Sequence, residues 1–249
     1  MLSSKRILKR LAIFDFDHTI CEYNTDIVVR DLLKPDLITS DIKSVRSCGW
    51  IRYMQRIFEL LHKNGYSKID IQNAIQNIPE VKGIKQCIEE LAKNNFHIII
   101  ISDSNSEFIE TWNSFNNIGS SIHTVFTNPA SYNSEGMLQV RPYHYQTKCD
   151  LSSRNLCKGL IMENFLSNQY DSADTEYDKI FYIGDGKNDV CPMLRLKENG
   201  YACPREGYAC CDALNSAINQ RRETYKAKIL KWNTGTQLMS LITKELDVL

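Results

Sequence analysis

The chain lacks a charge excess of either sign: 30 Lys and Arg are set against 30 Asp and Glu over 249 residues. No global field therefore draws in nucleic acid or an anionic membrane, and any basic site has to be local. Long hydrophobic runs are absent too. The longest aliphatic run, Ile98 to Ile101, is far short of a membrane-spanning helix. There is no N-x-Ser/Thr sequon, no secretory signal pattern, no internal repeat and no low-complexity linker. The cysteines number nine, an odd count scattered along the whole chain, which fits a reducing, cytoplasmic setting better than a disulfide scaffold. Cys210-Cys211 reads as a pair of free thiols. One pattern points elsewhere: Lys5, Arg6, Lys9 and Arg10 with Leu2, Ile7, Leu8 and Leu11 resemble a short basic leader, but a strand expected from Leu11 leaves little margin for cleavage.

What is present is a soluble composition, 43% hydrophobic and 24% charged, enough to bury a sizeable core. At roughly 150 residues per domain, the length suggests one large domain or a domain with an insertion. Three short apolar runs without alternation, Leu11 to Phe14, Phe96 to Ile101 and Ile180 to Ile183, read as strands covered on both faces of a parallel sheet. Each run leads into polar groups: Asp15 and Asp17, then Ser102 and Asp103, then Asp185. Ligands of open α/β sheets bind at the carboxyl ends of the strands. One such acid is an ordinary loop opener; three strands delivering acids or hydroxyls to the same end form a site.

The stretch from Cys21 to Pro79 is too long for one crossover. Trp50, Ile51, Met54, Ile57, Phe58 and Leu61 fall at helical spacing, and a second helix is expected from about Ser67 to Ile78. We read residues 22–79 as a helical cap inserted into a core made of residues 1–21 and 80–249. Further helices are expected at Ile84 to Ala92, Asn105 to Phe115, Leu156 to Leu166, from the Gly184 to Asn188 loop to about Lys197, and at Gln237 to Leu246. A short strand is expected at Thr124 to Phe126, and a turn-rich segment at Asn128 to Gly136.

Asp15-Phe-Asp17-His-Thr19 is the sharpest motif. Residues i and i+2 of an extended chain project to one side, so both carboxylates reach one small volume. They imply Mg²⁺ or a shared proton there. One carboxylate is able to attack phosphorus and the other to shuttle a proton. Either aspartate alone is equally explained by an Asx-rich turn. Gly184-Asp185-Gly186-Lys187-Asn188-Asp189 is the second motif, with glycines for close backbone approach and two more oxygen donors for a hard cation.

The order of these motifs resembles the haloacid dehalogenase superfamily of phosphatases. Ile101-Ser-Asp-Ser-Asn-Ser106, Val125-Phe-Thr-Asn-Pro129, Asn155-Leu-Cys-Lys158, Tyr182-Ile-Gly-Asp-Gly186 and Asn188-Asp-Val-Cys-Pro192 narrow it to the phosphoethanolamine/phosphocholine phosphatases and their pyridoxal phosphate phosphatase-like sister group. The likeness runs from about Leu11 to Ile242. It implies a Rossmann-like α/β core with the inserted cap and Mg²⁺-dependent hydrolysis of a small phosphomonoester through an aspartyl-phosphate. By the same likeness Asp15 is the nucleophile and Asp17 the general acid and base. Mg²⁺ falls to Asp15, the Asp17 carbonyl and Asp185, phosphoryl contacts to Ser102 and Lys158, and a supporting place to Asp189. On helical spacing alone, Lys158 would be a solvated lysine.

Asp26 and Asp103 are not needed for phosphoryl transfer, and we expect them to face a cationic part of the leaving group. Trp50 and Tyr53 are candidates for an aromatic wall beside it. Candidate substrates are pyridoxal phosphate, phosphoethanolamine and phosphocholine; the alternatives are pyrophosphate, thiamine monophosphate, or a phosphate-binding module without catalysis. Halide chemistry is disfavoured because halide needs no proton from Asp17. No nucleic-acid or membrane partner is implied, and nothing sets an oligomeric state. The chain departs from the family pattern in two places. His18 fills the variable position of the first motif, where it is expected to be a loop histidine. Ser152-Ser153 stands where a Cys-Pro is usual, leaving Cys149, Cys157 and nearby His144 without zinc-like spacing.

Overall fold

A computed structural model describes residues 7–171, 175–220 and 225–246. The basic stretch over residues 1–6 lies outside them. The first described element is β1 (Ile7–Phe14). A helical stretch follows, with α1 (Thr25–Arg30), α2 (Ser40–Ser44), α3 (Trp50–Lys63) and α4 (Lys68–Gln76). Next come α5 (Ile84–Lys93), β2 (Phe96–Asn105), α6 (Ser106–Phe115), β3 (Thr124–Asn128), β4 (Ala130–Tyr132) and β5 (Leu138–Val140). The second half holds α7 (Lys158–Asp171), β6 (Thr175–Gly184), α8 (Val190–Met193), β7 (Gly200–Pro204), α9 (Ala209–Asn219), β8 (Lys228–Ile229) and α10 (Gly235–Leu246).

Six strands form one parallel sheet in the order β3-β2-β1-β6-β7-β8. Strand alternation explains why the central runs are apolar throughout. Ala12, Phe14, Ile98, Ile100, Phe181 and Ile183 enter one apolar cluster. Their chain neighbours Leu11, Ile13, Ile99, Ile101, Ile180 and Tyr182 enter another, on the opposite face. The first face is covered by α5, α10 and the helices before α5, the second by residues of α7, α8 and α9. A parallel sheet needs both covers, because neither face carries polar residues that tolerate water.

The helices between β1 and α5 share the first cluster with the sheet: Val29, Tyr53, Met54, Ile57, Phe58 and Leu61 pack with Phe16, Phe108 and Trp112. Trp112 ties them together. It is fully buried, meets Phe16 edge to face at 5.6 Å, and donates its indole N–H to the Ile78 carbonyl at 2.9 Å. Local caps place these helices. Asn24 caps α1, Ser67 and Asp70 form a capping box on α4, and the Asn105 side chain accepts from the Phe108 amide to start α6 directly from β2.

Three expectations change. β1 begins at Ile7, so Lys9 and Arg10 are strand residues paired with β6 across a bulge. The turn-rich segment after Asn128 holds the antiparallel pair β4–β5, against which α3 packs, with the Val140 amide donating to Gln55 Oε1 at 3.0 Å. The helix after the second motif stops at Met193. Beyond it the chain tightens into i to i+3 turns, Arg195 on Pro192 and Gly200 on Lys197, and enters β7.

Candidate active site

The chain runs from β1 outward to β2 and β3 and then returns to β6 on the other side of β1. That reversal is the topological switch point at which open α/β sheets bind ligands. Phe14 and Ile183 are register partners there, and the Asp15 amide donates to the Ile183 carbonyl at 2.9 Å. Asp15 and Asp185 therefore leave adjacent strands at the same end. On the other flank β2 brings Ser102 and Asp103.

Lys158, the first residue of α7, is fully buried beneath them. Its Nζ lies 2.6 Å from Asp15 Oδ2 and 2.7 Å from Asp189 Oδ1. Asp189 is saturated: its Oδ1 also accepts from the Tyr182 hydroxyl, and its Oδ2 from the amides of Asp185 and Gly186. Gly184 makes this possible, since a Cβ there would sit 2.4 Å from Asp189 Cγ. Asp189 thus orients Lys158 and has no lone pair directed at a cation. Asp185 keeps one oxygen open, because only Oδ1 is held, by Thr19 Oγ1 at 3.1 Å.

Carboxylate oxygens of Asp15, Asp185 and Asp189 lie within 4.8 Å of one another. One ammonium does not neutralise three buried carboxylates. Burial, then the Asp15 and Asp189 charges, pushes Asp185 up to about 8. Burial, then Asp15, pushes Asp189 up to about 6 despite Lys158. Burial pulls the Lys158 ammonium down, but Asp15, Asp189 and Asp103 outweigh it and hold the lysine well above its ordinary value. An all-oxygen, negatively charged cluster of this kind fits Mg²⁺, a hard cation that favours carboxylates and retains waters.

Asp17 lies beside this cluster, its Oδ1 accepting from the Thr25 amide at 3.1 Å. Burial, then the Asp26 and Asp15 charges, raises it to about 8. Asp26 is buried behind it and accepts the Trp50 indole N–H at 2.5 Å; burial raises its carboxyl to about 6. Asp103 Oδ2 accepts from Ser153 Oγ and Asn188 Nδ2, whereas its buried Oδ1 has no protein partner. Burial raises this carboxyl as well.

Asp15, Asp17, Ser102, Asp103 and Asp185 line one cleft of about 380 Å³, closed on one side by Trp50 from α3. Asp26, Lys158 and Asp189 stand behind its wall. Tyr53 is buried in the core and packs on Trp50 at 5.4 Å, while Arg46 stacks over Trp50 at 5.1 Å. The expected two-ring wall is thus a single indole. His18 lies at the cleft edge with φ +57°, half-buried, its Nδ1 bonded to the Glu22 carbonyl.

Sequence reasoning missed several supporting residues. Thr19 holds Asp185, Tyr182 holds Asp189, Asn188 and Ser153 hold Asp103, and Arg205 binds the His18 carbonyl and both Glu22 oxygens. Arg205 had one legible signal, its position just past a strand end beside the others. His144 accepts the Cys157 amide proton at Nε2, and the third thiol near Cys149 and Cys157 is Cys191, from α8.

In fold, an α/β sheet flanked by helices, the chain matches haloacid dehalogenase-type proteins. A substrate-bound phosphoserine phosphatase superposes with a TM-score of 0.60 at 14% identity, covering 96% of this chain and 99% of that one. A family hydrolase of this type from Salmonella enterica gives 0.63 at 13% identity, covering 98% and 74%. At the level of sequence, the Putative Phosphatase family model matches residues 10–246, and the chain belongs to that family. Pyridoxal phosphate phosphatase PHOSPHO2 of Mus musculus is 35% identical over 240 residues, covering 94% of this chain and 97% of that protein. Phosphoethanolamine/phosphocholine phosphatase of Gallus gallus is 31% identical over 240 residues, covering 95% and 89%. The chain is a phosphatase. No helix among the described residues is long and apolar enough to cross a membrane.

Proposed function

We propose that this phosphatase hydrolyses small phosphomonoesters with Mg²⁺ through a phosphoryl group carried on Asp15. The observation that carries the reading is the buried contact of Asp15 with Lys158 within a carboxylate cluster whose negative charge exceeds its positive charge. Asp15, the Asp17 carbonyl and Asp185 would hold the cation, which supplies charge neutralisation to the incoming phosphoryl group.

Asp15 Oδ1 accepts the Phe16 amide and Oδ2 the Lys158 ammonium, so the carboxylate is fixed before substrate arrives. It attacks phosphorus, and Asp17 gives its proton to the departing oxygen. Burial and neighbouring charge favour the protonated form of Asp17 into the neutral range, the state a proton donor needs. With the leaving group gone, Asp17 takes a proton from water as the water attacks phosphorus and frees Asp15. Ser102 donates to a phosphoryl oxygen and Lys158 faces the charge that develops there.

The segment 22–79 acts in this reading as a cap, its Trp50 restricting the cleft to metabolite-sized esters. Asp103 Oδ1, buried without a partner, suits a donor or cationic group on the leaving alcohol, with Asp26 adding negative charge behind Trp50. Pyridoxal phosphate, phosphoethanolamine and phosphocholine are the first candidates, as the similar phosphatases are named for them; pyrophosphate and thiamine monophosphate follow. A phosphate-release screen over this panel with and without Mg²⁺ tests the reading. Wild-type release that depends on Mg²⁺ and disappears in Asp15→Asn supports it; no release above background from either protein favours a phosphate-binding module.

A further inference from the structure

Next to Lys158 along the chain, three thiols converge that the phosphatase chemistry does not use. Cys149 comes from the loop before α7, Cys157 is the residue before Lys158, and Cys191 is the second residue of α8. The Cys191 Sγ lies 3.4 Å from that of Cys149 and 3.8 Å from that of Cys157. Cys157 and Cys191 are each 2% exposed. A tetrahedral metal with bonds of about 2.3 Å to sulfur sets its sulfur ligands about 3.8 Å apart. The fourth corner is also occupied: Ser152 Oγ lies 3.5 Å from Cys149 Sγ and 3.3 Å from Cys157 Sγ.

Two further features build this geometry. Gln146 clasps the loop from inside, its Oε1 accepting from the Lys148 and Cys149 amides and its Nε2 donating to the Cys149, Ser152 and Ser153 carbonyls. That fixes Cys149 and Ser152 on one side of the cluster. On the other, α7 has Gly159 where a Cβ would lie 2.6 Å from Cys191 Sγ. A disulfide would join two of the sulfurs and leave the third and the serine without purpose. Four donors converging at tetrahedral spacing suit a thiophilic divalent cation.

We propose that Cys149, Cys157 and Cys191 bind a structural Zn²⁺, with Ser152 filling or holding a water in the fourth position. The thiols lose their protons to solvent as the metal binds. The site staples the 141–157 loop and α8 to the start of α7. It thereby fixes Lys158, one residue from a ligand, and Ser153, which donates to Asp103 in the cleft. It is independent of the Mg²⁺ reading: that cluster takes a hard cation on oxygen, this one a softer cation on sulfur.

The test uses the full chain, untagged and purified under reductant, with metal content measured by mass spectrometry. One zinc per chain is expected. Exchange with Co²⁺ should give a thiolate-to-metal charge-transfer band, which carboxylate ligands do not produce. Cys191→Ser should weaken zinc retention against a chelator by roughly tenfold or more. Ser152→Cys, which completes a four-thiolate set, should strengthen it, and this gain of function stays readable if Cys191→Ser fails to fold. Zinc-free protein whose three thiols react freely, with no charge-transfer band on Co²⁺ addition, overturns the proposal. So does a disulfide in Ser152→Cys with no gain in zinc. Zinc without phosphate release would leave this site standing and remove the phosphatase mechanism; the converse removes only this site.

Discussion

The carboxylates around Lys158 and the thiols around Cys157 are neighbours along the chain and opposites in chemistry. Cys157 precedes Lys158, and Cys191 follows Asp189 by two residues, so the same two short segments feed both clusters. The oxygen cluster is charged and opens on a cleft, with the Asp15, Asp185 and Asp189 carboxylates against one ammonium. The sulfur cluster holds two buried thiols and one half-buried one, and is neutral when they keep their protons. Unpaired buried charge is costly, whereas a buried thiol behaves as a small apolar group. The difference assigns separate work to each: the first is built under an excess of negative charge that a cation relieves, the second lies between the segments that carry the first.

The comparison breaks most sharply at Asp15. Asp15→Asn should lower kcat by roughly 10⁴–10⁶-fold, the scale of removing a covalent nucleophile. A steady-state rate within tenfold of wild type, measured by phosphate release, would contradict the assigned role. Lys158→Ala comes next. It removes the counter-charge of two buried carboxylates and a phosphoryl contact, so a loss of roughly 10²–10³-fold in kcat is expected. Breaking the buried pairs should also cost about 3–5 kcal/mol of unfolding free energy by denaturant titration, and added Mg²⁺ should restore part of it.

A pH series sharpens the comparison further. Asp17 and Asp185, both raised to about 8 from an ordinary 3.8, hold protons in the fold that the unfolded chain has released. Metal-free protein should therefore lose stability as pH rises from about 4 to about 8, because in that window the unfolded state binds fewer protons. Lys158, raised above its ordinary value, stays protonated throughout this window and contributes no slope. In the proposed mechanism Mg²⁺ takes the deprotonated acids, so its increment in Tm should be larger at pH 8 than at pH 5; the reverse order by scanning calorimetry contradicts the charge account. The smallest effect is expected at Asp103. Asp103→Asn should raise KM about tenfold for esters with a cationic leaving group and spare kcat on a neutral aryl phosphate, whereas equal losses on both would remove the specificity role.

How much of this was legible in the sequence follows from how local each signal is. The three central strands show in their composition, because both faces of each are covered; Asp15 and Asp185 show because they directly follow strands that stop, and Ser102 because it follows the aliphatic run inside β2. β7 escaped notice since Tyr201-Ala-Cys203 has no aliphatic run, and the β4–β5 pair since three-residue strands carry no period. Lys158 is the instructive failure of residue reading. A lysine opening a helix is ordinarily solvated, and only the Asn-Leu-Cys-Lys string of the family marked it, while in the fold it is among the most buried side chains. Cys191 lies 34 residues beyond Cys157, and no spacing rule links them; they meet only through the packing of α7 and α8 in the folded chain. Asp189 could be read as an oxygen donor from its motif, but its saturation by four donors belongs to the three-dimensional arrangement.

The central claim is that phosphorus passes through Asp15 on its way to water, which requires two displacements in sequence. The most direct measurement is the stereochemical course at phosphorus, followed with an isotopically chiral phosphomonoester in labelled water. Two in-line displacements predict net retention of configuration; net inversion would show water attacking the ester directly and contradict the account.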